Sequence, residues 1–236
     1  PPEPVLTPGD SPKLAIIIDD MGLARGHTQD IIDLSAPLTL AFLPYAERLE
    51  DFTIPAKDKG HELIIHVPME PMNPDLDLGP HGLRTGMSEE DFKIVMKDNI
   101  FNAFGGYVGI NNHMGSKLTQ NTEAMGWVMG ELAEKNLFFV DSKTIATSIA
   151  AKTAAQYNVP YAERDVFLDH YDTIDSVRKA LYQLELVAMR KGVGIAIGHP
   201  KSHTVKALQE WMPDAAARGF EFVPVSAVIH KSAVKR

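Results

Sequence analysis

Short, almost wholly apolar runs recur along the chain and are separated by longer amphipathic stretches. The first run, residues 14–18, is β-branched at three of its five positions, which predicts a strand buried on both faces, as in a parallel sheet. Similar runs predict further strands at residues 38–43, 62–67, 107–112, 137–141, 193–198 and 220–225, with short extended pieces at 159–162 and 165–169.

Between these runs, apolar residues recur at helical spacing. The predicted helices cover residues 27–35, 47–59, 88–104, 122–135, 144–157, 173–191 and 203–218. A strand followed by a helix, repeated about seven times, is the pattern of a parallel sheet. We therefore predict an α/β fold, a distorted parallel β/α barrel of about seven strands in a single domain.

The stretch 69–87 interrupts this pattern. It has no periodicity and contains Pro71, Pro74 and Pro80 together with three glycines. Loops of this length within a compact domain are commonly either functional or disordered. Its position directly after the third predicted strand therefore favours a lid or a substrate-binding loop.

Composition limits the class of protein. The 236 residues are enough for one large α/β domain, and 44% hydrophobic with 23% charged residues is ordinary for a globular protein. The net charge of −8, without a basic stripe, argues against a nucleic-acid partner. No apolar run approaches the roughly 20 residues needed to cross a bilayer. The absence of cysteine excludes thiolate metal sites, disulfides and a cysteine nucleophile.

The ends of the chain differ in composition from the rest. We assign residues 1–12, which begin Pro-Pro-Glu-Pro, to a Pro-rich linker, residues 13–230 to the barrel domain and residues 231–236 to a tail. A linker of this kind often follows a removed signal or anchor. We therefore expect an extracytoplasmic protein, either periplasmic or secreted.

Five of the predicted strands end in residues typical of metal sites and acid–base chemistry. These residues are Asp19 with Asp20, His66 with Glu70, His113, Asp141 and His199. The carboxyl ends of parallel strands meet at one edge of a sheet or barrel, where ligands bind. Two adjacent acids there are poorly explained by packing, since aspartate is costly to bury unpaired. The simpler alternative is a pair of solvated turn residues, one of them capping the next helix.

Carboxylate and imidazole ligands suit a divalent metal, and three protein ligands with one open position are typical of catalytic zinc. Such a metal acidifies water and polarises a carbonyl group. One further acid would take a proton from water and another would protonate the leaving group. Asp19 and Asp20 can divide two of these roles, because adjacent strand residues point in different directions.

Several of these residues have alternative roles. His66 and His113 are expected to be metal ligands rather than core histidines. For His199 a structural hydrogen bond is an equal alternative to acid catalysis. Asp141 either orients a ligand histidine or caps the following turn, and Glu70 is either a ligand or a loop anchor. Surface or capping positions are predicted for the remaining histidines, His27, His61, His81, His170, His203 and His230.

At this point the motifs resemble a known family. Residues 17–22 (Ile-Ile-Asp-Asp-Met-Gly) resemble the Asp-Asp motif that opens the polysaccharide deacetylase domain, also called the chitooligosaccharide deacetylase homology domain. Residues 59–71 are similar to its Gly-His-Glu segment, and residues 195–199 to its closing apolar-apolar-His motif. The divergent branch of this family fits best, since residues 111–116 and 139–142 also match. The resemblance extends over residues 13–230.

The resemblance implies a distorted β/α barrel and metal-dependent removal of acetyl groups from N-acetylated sugars. It implies that Asp19 is the catalytic base, Asp20 and His66 are metal ligands, and His199 is the general acid. The family's second metal histidine falls on Glu70 here. Either Glu70 is a ligand or, as we prefer, His113 supplies the third ligand from the neighbouring strand. The expected ion is zinc.

Two hypotheses of different classes follow. The first is a metal-dependent hydrolase that cleaves acetyl groups from a polysaccharide or cell-wall glycan, with Asp19, His199 and Asp141 as its catalytic residues. The second is a catalytically silent carbohydrate- or cell-wall-binding module that keeps the fold. A third reading, a hydrolase of another bond such as a phosphoester, is disfavoured by the net negative charge.

Overall fold

The structure, a computed structural model, describes residues 11–229. Strands and helices alternate along most of this range. The strands are β1 (Lys13–Met21), β2 (Thr39–Phe42), β3 (Glu62–Met69), β4 (Gly109–Met114), β5 (Phe138–Asp141), β6 (Tyr161–Glu163), β7 (Val166–Phe167), β8 (Val193–Gly198) and β9 (Glu221–Phe222). The helices are α1 (Arg25–Ile32), α2 (Glu50–Asp58), α3 (Glu89–Ile94), α4 (Thr122–Lys135), α5 (Ala150–Gln156), α6 (Ile174–Lys191) and α7 (Ser202–Ala217).

The strands follow the order β6-β5-β4-β3-β2-β1-β8-β7, and β9 pairs with β1. The registers of β1 with β8, of β3 with β4 and of β4 with β5 are parallel. The predicted fold class, a distorted parallel β/α barrel, is therefore confirmed. Within residues 11–229 the hydrogen-bonded path ends at β6 and β7, so the barrel is only partly closed.

Contacts within the chain divide it into two compact units. The first includes β1, α1, α2 and residues 164–228, and in it β1 pairs with β8 while α6 packs against both β8 and α7. Glu185 on α6 is buried there and forms a bidentate ion pair with Arg218. The second unit consists mainly of residues 63–163, from β3 to β6. A single domain over residues 13–230 stays a prediction.

Apolar composition explains why the central strands are buried. Residues 14–18 of β1 have no exposed surface. All seven residues of β3 after Glu62 are buried, and six of these seven are apolar. Burial on both faces is what near-continuous Ile, Val and Leu runs favour in parallel sheets. The polar residues Asp19 and His66 therefore lie on strands that are buried on both faces.

Two local predictions were wrong, and a third was wrong in part. The helix expected over 144–157 begins only at Ala150, because Thr144 instead donates its hydroxyl to the carbonyl oxygen of Met114. The helix expected over 88–104 changes at Val95 into a π-helical segment that ends at Ile100. His61 was expected at a surface or capping position; it is not at the surface, being only 4% exposed, but its ring bonds the N–H of Leu38 and the carbonyl of Ile32, the last residue of α1.

The remaining predictions concern the two ends of the chain and membrane-spanning segments. Of the predicted linker (1–12) only residues 11 and 12 are described, and the tail (231–236) lies outside the described residues, as does His230. Among the helices of residues 11–229, none combines the length and the apolar character that a membrane span requires.

Candidate metal centre and acid–base pair

The first strand places two carboxylates at its carboxyl end. Asp19 is only 3% exposed, whereas the side chain of Asp20 is about one-third exposed. Asp20 has a φ of 54°, in the left-handed region, and Gly22 follows with a φ of 99°. Aspartate tolerates this region better than most residues, and such conformations cluster at functional sites. The backbone therefore turns sharply where the two acids stand.

His199 follows the adjacent strand at the same level. Ile18 pairs with Gly198, so Asp19 and His199 are the next residues on β1 and β8. The Nε2 atom of His199 lies 3.8 Å from Oδ2 of Asp20. Its Nδ1 atom is 2.9 Å from Oδ1 of Asp169, to which it donates a hydrogen bond. One ring nitrogen of His199 thus faces the acids of β1, and the other is held by a buried carboxylate.

Asp169 is fixed by further hydrogen bonds. Its Oδ2 atom accepts the backbone N–H of His199 at 2.7 Å and the hydroxyl of Thr204 at 2.8 Å. The side chain has no exposed surface. A buried carboxylate with three donors is held in one orientation, and the imidazole that it binds is oriented with it.

The charges of this cluster favour a protonated imidazole. Burial disfavours the charged form of His199, but the hydrogen bond to Asp169 and the negative charges of Asp169, Asp19 and Asp20 outweigh it, and the pKa of His199 is raised. Burial would raise the pKa of Asp169, yet the hydrogen bonds from His199 and Thr204 lower it overall. An imidazolium paired with a carboxylate is the form that a general acid needs.

In the second unit, His66 and His113 lie side by side in the carboxyl-terminal halves of β3 and β4. The Nδ1 atom of His113 is 3.1 Å from Nε2 of His66, and the ring centroids are 4.9 Å apart. On its other side, Nδ1 of His66 is 2.7 Å from Oδ1 of Asn111. His66 is 2% exposed and Asn111 is fully buried. Both histidines were predicted as ligands.

Asn112 fixes the backbone around His113. Its Oδ1 atom accepts the amide N–H of Ser142 at 2.9 Å, and its Nδ2 atom donates to the carbonyl oxygen of Met114 at 2.7 Å. Met114 has a φ of 52°, and Gly115 follows with a φ of 89°. Asn112 is 1% exposed, so these bonds are sheltered from water. They stabilise the tight turn that ends β4 directly after His113.

Asp20, His66 and His113 form a group that could hold a metal ion, with one ligand atom from each within 4.8 Å of the others. Zinc binds carboxylate oxygen and imidazole nitrogen at about 2.0–2.2 Å, so the ligands of one tetrahedral ion stand about 3.5 Å apart. One carboxylate and two imidazoles, with a position left for water, are a donor set that fits a catalytic divalent ion. These are the three ligands predicted from the sequence.

Glu70 lies outside this group. Its Oε2 atom accepts the amide and the hydroxyl of Thr85 at 2.8 and 2.7 Å, and its Oε1 atom accepts Nζ of Lys117 at 2.8 Å. Burial would raise the pKa of Glu70, but these hydrogen bonds and the charge of Lys117 lower it to about 2. Of the two roles considered for Glu70, the contacts are those of a loop anchor.

Asp141 has the contacts of a turn cap. Its Oδ1 atom accepts the amide of Lys143 at 2.8 Å, and its carboxylate also accepts the hydroxyl of Ser148. Burial raises the pKa of Asp141 in spite of these bonds. The residue that binds the ring of His66 is Asn111 instead. Of the two roles considered for Asp141, the structure gives the cap, so its inclusion among catalytic residues finds no support in these contacts.

Sequence reasoning missed Asp169, Asn111 and Asn112. Asp169 follows a short apolar stretch, and an acid after an apolar stretch was the pattern that identified the other strand ends. The strand before Asp169, β7, has only two residues and gave too weak a pattern. Asn111 and Asn112 lie within a matched motif, yet no role was assigned to either. The partner of Asn111 is His66 on the neighbouring strand, and Asn112 bonds Met114 on its own strand and Ser142 just after β5, so these roles become visible only in the folded structure.

The family follows from comparison with known proteins. The family model of the divergent polysaccharide deacetylases matches residues 16–229. The chain belongs to the divergent polysaccharide deacetylase family. The uncharacterized protein YibQ of Escherichia coli strain K12 is 36% identical over 198 residues, which are 84% of this chain. The chain spans only 61% of that curated relative's length.

Solved structures show the same fold. An uncharacterized protein of Agrobacterium tumefaciens C58, ATU2773, has a TM-score of 0.89 at 27% identity, with 96% of this chain and 92% of that chain covered. The catalytic domain of a peptidoglycan N-acetylglucosamine deacetylase from Eubacterium rectale has a TM-score of 0.53 at 14% identity, covering 98% and 96%. A CE4 family pseudoenzyme of Bacillus anthracis, BA3943, has a TM-score of 0.54 at 11%, covering 93% and 66%.

Proposed function

We propose that this member of the divergent polysaccharide deacetylase family is a metal-dependent hydrolase that removes acetyl groups from N-acetylated sugars of a polysaccharide or cell-wall glycan. The observation that carries the proposal is the group formed by Asp20, His66 and His113, whose ligand atoms lie within 4.8 Å of one another. The family match supports the substrate class. Zinc is the ion that we propose, because the donor set contains two imidazoles and no thiolate.

A divalent ion at these ligands supplies Lewis-acid chemistry: it acidifies water and polarises a carbonyl group. In the proposed reaction the buried carboxylate of Asp19 takes a proton from water while the water oxygen bonds to the acetyl carbon. The C–N bond then breaks. His199 donates the proton on Nε2 to the departing amine nitrogen, and acetate and the free amino sugar result.

The pair of His199 and Asp169 supports this division of roles. Asp169 holds Nδ1 of His199 at 2.9 Å, so the Nε2 proton is directed away from it and towards the side of Asp20, 3.8 Å away. The raised pKa of His199 favours the protonated imidazole that this role requires. Asp19 is next to Asp20 along β1, so the proposed base and the proposed metal ligand occupy adjacent positions of one buried strand.

Metal binding is the first test. We expect about one equivalent of zinc per chain, measured by elemental analysis after dialysis, and a loss of that zinc in Asp20→Ala and His66→Ala. Glu90→Gln, which removes a charge from an exposed position, is the matched control. Full zinc content in both ligand variants would refute the proposed centre.

Activity is the second test. Acetate release would be measured from a panel of N-acetylated glycans, including chitooligosaccharides and peptidoglycan. We expect release by the wild type, loss of release in Asp19→Asn with zinc retained, and a strong decrease in His199→Gln. Glycan binding without any acetate release, unaffected by Asp19→Asn, would favour the silent binding module, a role that the pseudoenzyme with this fold makes a real alternative.

We also propose an extracytoplasmic location, because acetylated cell-wall glycans lie outside the cytoplasm. The test is cell fractionation of the full-length natural protein, with cytoplasmic and periplasmic marker enzymes as controls. Recovery with the cytoplasmic marker would contradict it.

A further inference from the structure

Asn111 has an unusual position beside one of the candidate ligands. It is the register partner of His66 on the neighbouring strand, and it is fully buried. Its amide oxygen is 2.7 Å from Nδ1 of His66, a short hydrogen bond for a neutral pair. An amide oxygen can only accept, so Nδ1 of His66 must carry the proton.

This bond determines which nitrogen of His66 is available. A neutral imidazole with its proton on Nδ1 has a bare lone pair on Nε2. Nε2 is the atom that faces His113, whose Nδ1 lies 3.1 Å away. Asn111 and His113 are two residues apart on β4 and therefore lie on the same face of the strand. His66 sits between them, bonded to one and directed at the other.

The charge of the partner matters as much as its position. Histidines that bind metals commonly donate their second N–H to a carboxylate or a carbonyl oxygen, and a carboxylate makes the ring a stronger donor. Asn111 offers a neutral oxygen. It fixes the orientation and the tautomer of His66 without adding negative charge, which leaves more positive charge on a bound ion than a carboxylate partner would.

We propose that Asn111 is a positioning residue that selects the Nδ1–H tautomer of His66 and keeps its Nε2 atom a neutral ligand of moderate strength. The metal part of this inference rests on the proposed function, whereas the tautomer part concerns the protein without metal. In this role Asn111 acts through His66, which it bonds directly.

The experiment compares two substitutions that differ in charge. Asn111→Leu has a similar size and no acceptor, and Asn111→Asp keeps an acceptor and adds negative charge. Asn102→Leu makes the first change at an exposed position and is the matched control. In metal-free protein, long-range ¹H–¹⁵N correlation spectra of ¹⁵N-histidine-labelled samples report the tautomer, with the His66 signal assigned from a His66→Gln sample. Zinc affinity is measured by competition with a chromophoric chelator.

We expect His66 to have the Nδ1–H tautomer in the wild type, Asn102→Leu and Asn111→Asp, and to lose this preference in Asn111→Leu. We expect zinc binding about 10–100-fold weaker in Asn111→Leu and tighter than wild type in Asn111→Asp. If Asn111 had only a structural role, zinc binding would be weakened to a similar extent in Asn111→Leu and Asn111→Asp. That result would overturn the inference.

An Nε2–H tautomer in the wild type would also overturn it. If none of the proteins binds zinc, the proposed function and the ligand-strength part of the inference fail together. The tautomer spectra still decide in that case whether Asn111 orients His66.

Discussion

Replacing Glu70 by glutamine tests the difference between an anchor and a ligand. In the folded protein the pKa of Glu70 is about 2, whereas its ordinary value is 4.5. The gap of about 2.5 pH units, at about 1.4 kcal/mol per unit, gives a ceiling of about 3.5 kcal/mol for the stabilisation by the ionised carboxylate. Glu70 is 16% exposed but Lys117 is 46% exposed, so solvent screening lowers the expected value to about 2 kcal/mol.

The pH dependence has a definite direction. Between pH 4.5 and about pH 2 the unfolded chain binds a proton at Glu70 and the folded chain does not, so this stabilisation is lost as the pH falls through that window. Above pH 4.5 it is fully present. The difference in unfolding free energy between wild type and Glu70→Gln should therefore be about 2 kcal/mol at pH 7 and should narrow as the pH falls below 4.5.

Urea denaturation at pH 7, 5.5, 4.5 and 3.5, followed by circular dichroism, measures this difference. Glu90→Gln controls for the loss of one negative charge, and Lys117→Met should reproduce part of the loss at pH 7. Zinc content should equal that of the wild type in all three variants. Equal stabilities of Glu70→Gln and Glu90→Gln at every pH, or a loss of zinc in Glu70→Gln alone, would refute the anchor role.

Three further predictions follow. Burial lowers the pKa of His61 from its ordinary value of 6.5, so below that pH the unfolded chain binds more protons and stability falls; His61→Gln should reduce this slope in urea titrations between pH 7.5 and 5.5. Thr204→Val removes a hydrogen bond to Asp169 and should lower the free energy of unfolding by about 1 kcal/mol in the same assay, whereas the control Thr122→Val, at an exposed position, should have little effect. Gly115→Ala puts a Cβ 3.1 Å from Cβ of Met69 at a φ of 89° and should lower stability by about 1–3 kcal/mol in thermal unfolding, whereas Gly26→Ala, in open space, should not.

The α/β class and the strand ends could be predicted because they depend on local pattern. Apolar runs that end in Asp or His are visible in the sequence, and His113 and His199 lie at or next to the carboxyl ends of β4 and β8. The third strand was predicted to end at residue 67, but β3 continues to Met69, so His66 lies three residues before its end. The start of α5 could not be predicted in the same way. Whether Thr144 enters a helix or donates to Met114 depends on a partner 30 residues away.

The residues of the candidate site that could not be predicted from the sequence were missed for a common physical reason. Asp169 follows a strand of two residues, which is too short to produce periodicity, and it is recognised only by its bonds to His199 and Thr204. The role of Asn111 depends on its register opposite His66. A shift of that register by one residue would turn Asn111 to the other face. Tertiary pairing therefore decides roles that residue types alone leave open.

The same register explains how the third candidate ligand can differ from the family's spacing. β3 continues as a strand to Met69, and the amide of Glu70 donates to the carbonyl of Leu83, so position 70 belongs to the following loop. On β4, His113 is the register partner of Pro68, two residues beyond His66. A ligand that is missing after β3 can thus be replaced by His113 on the neighbouring strand β4. The proposed centre then depends on the pairing of β3 with β4, which the contacts of Glu70 with Lys117 help to hold.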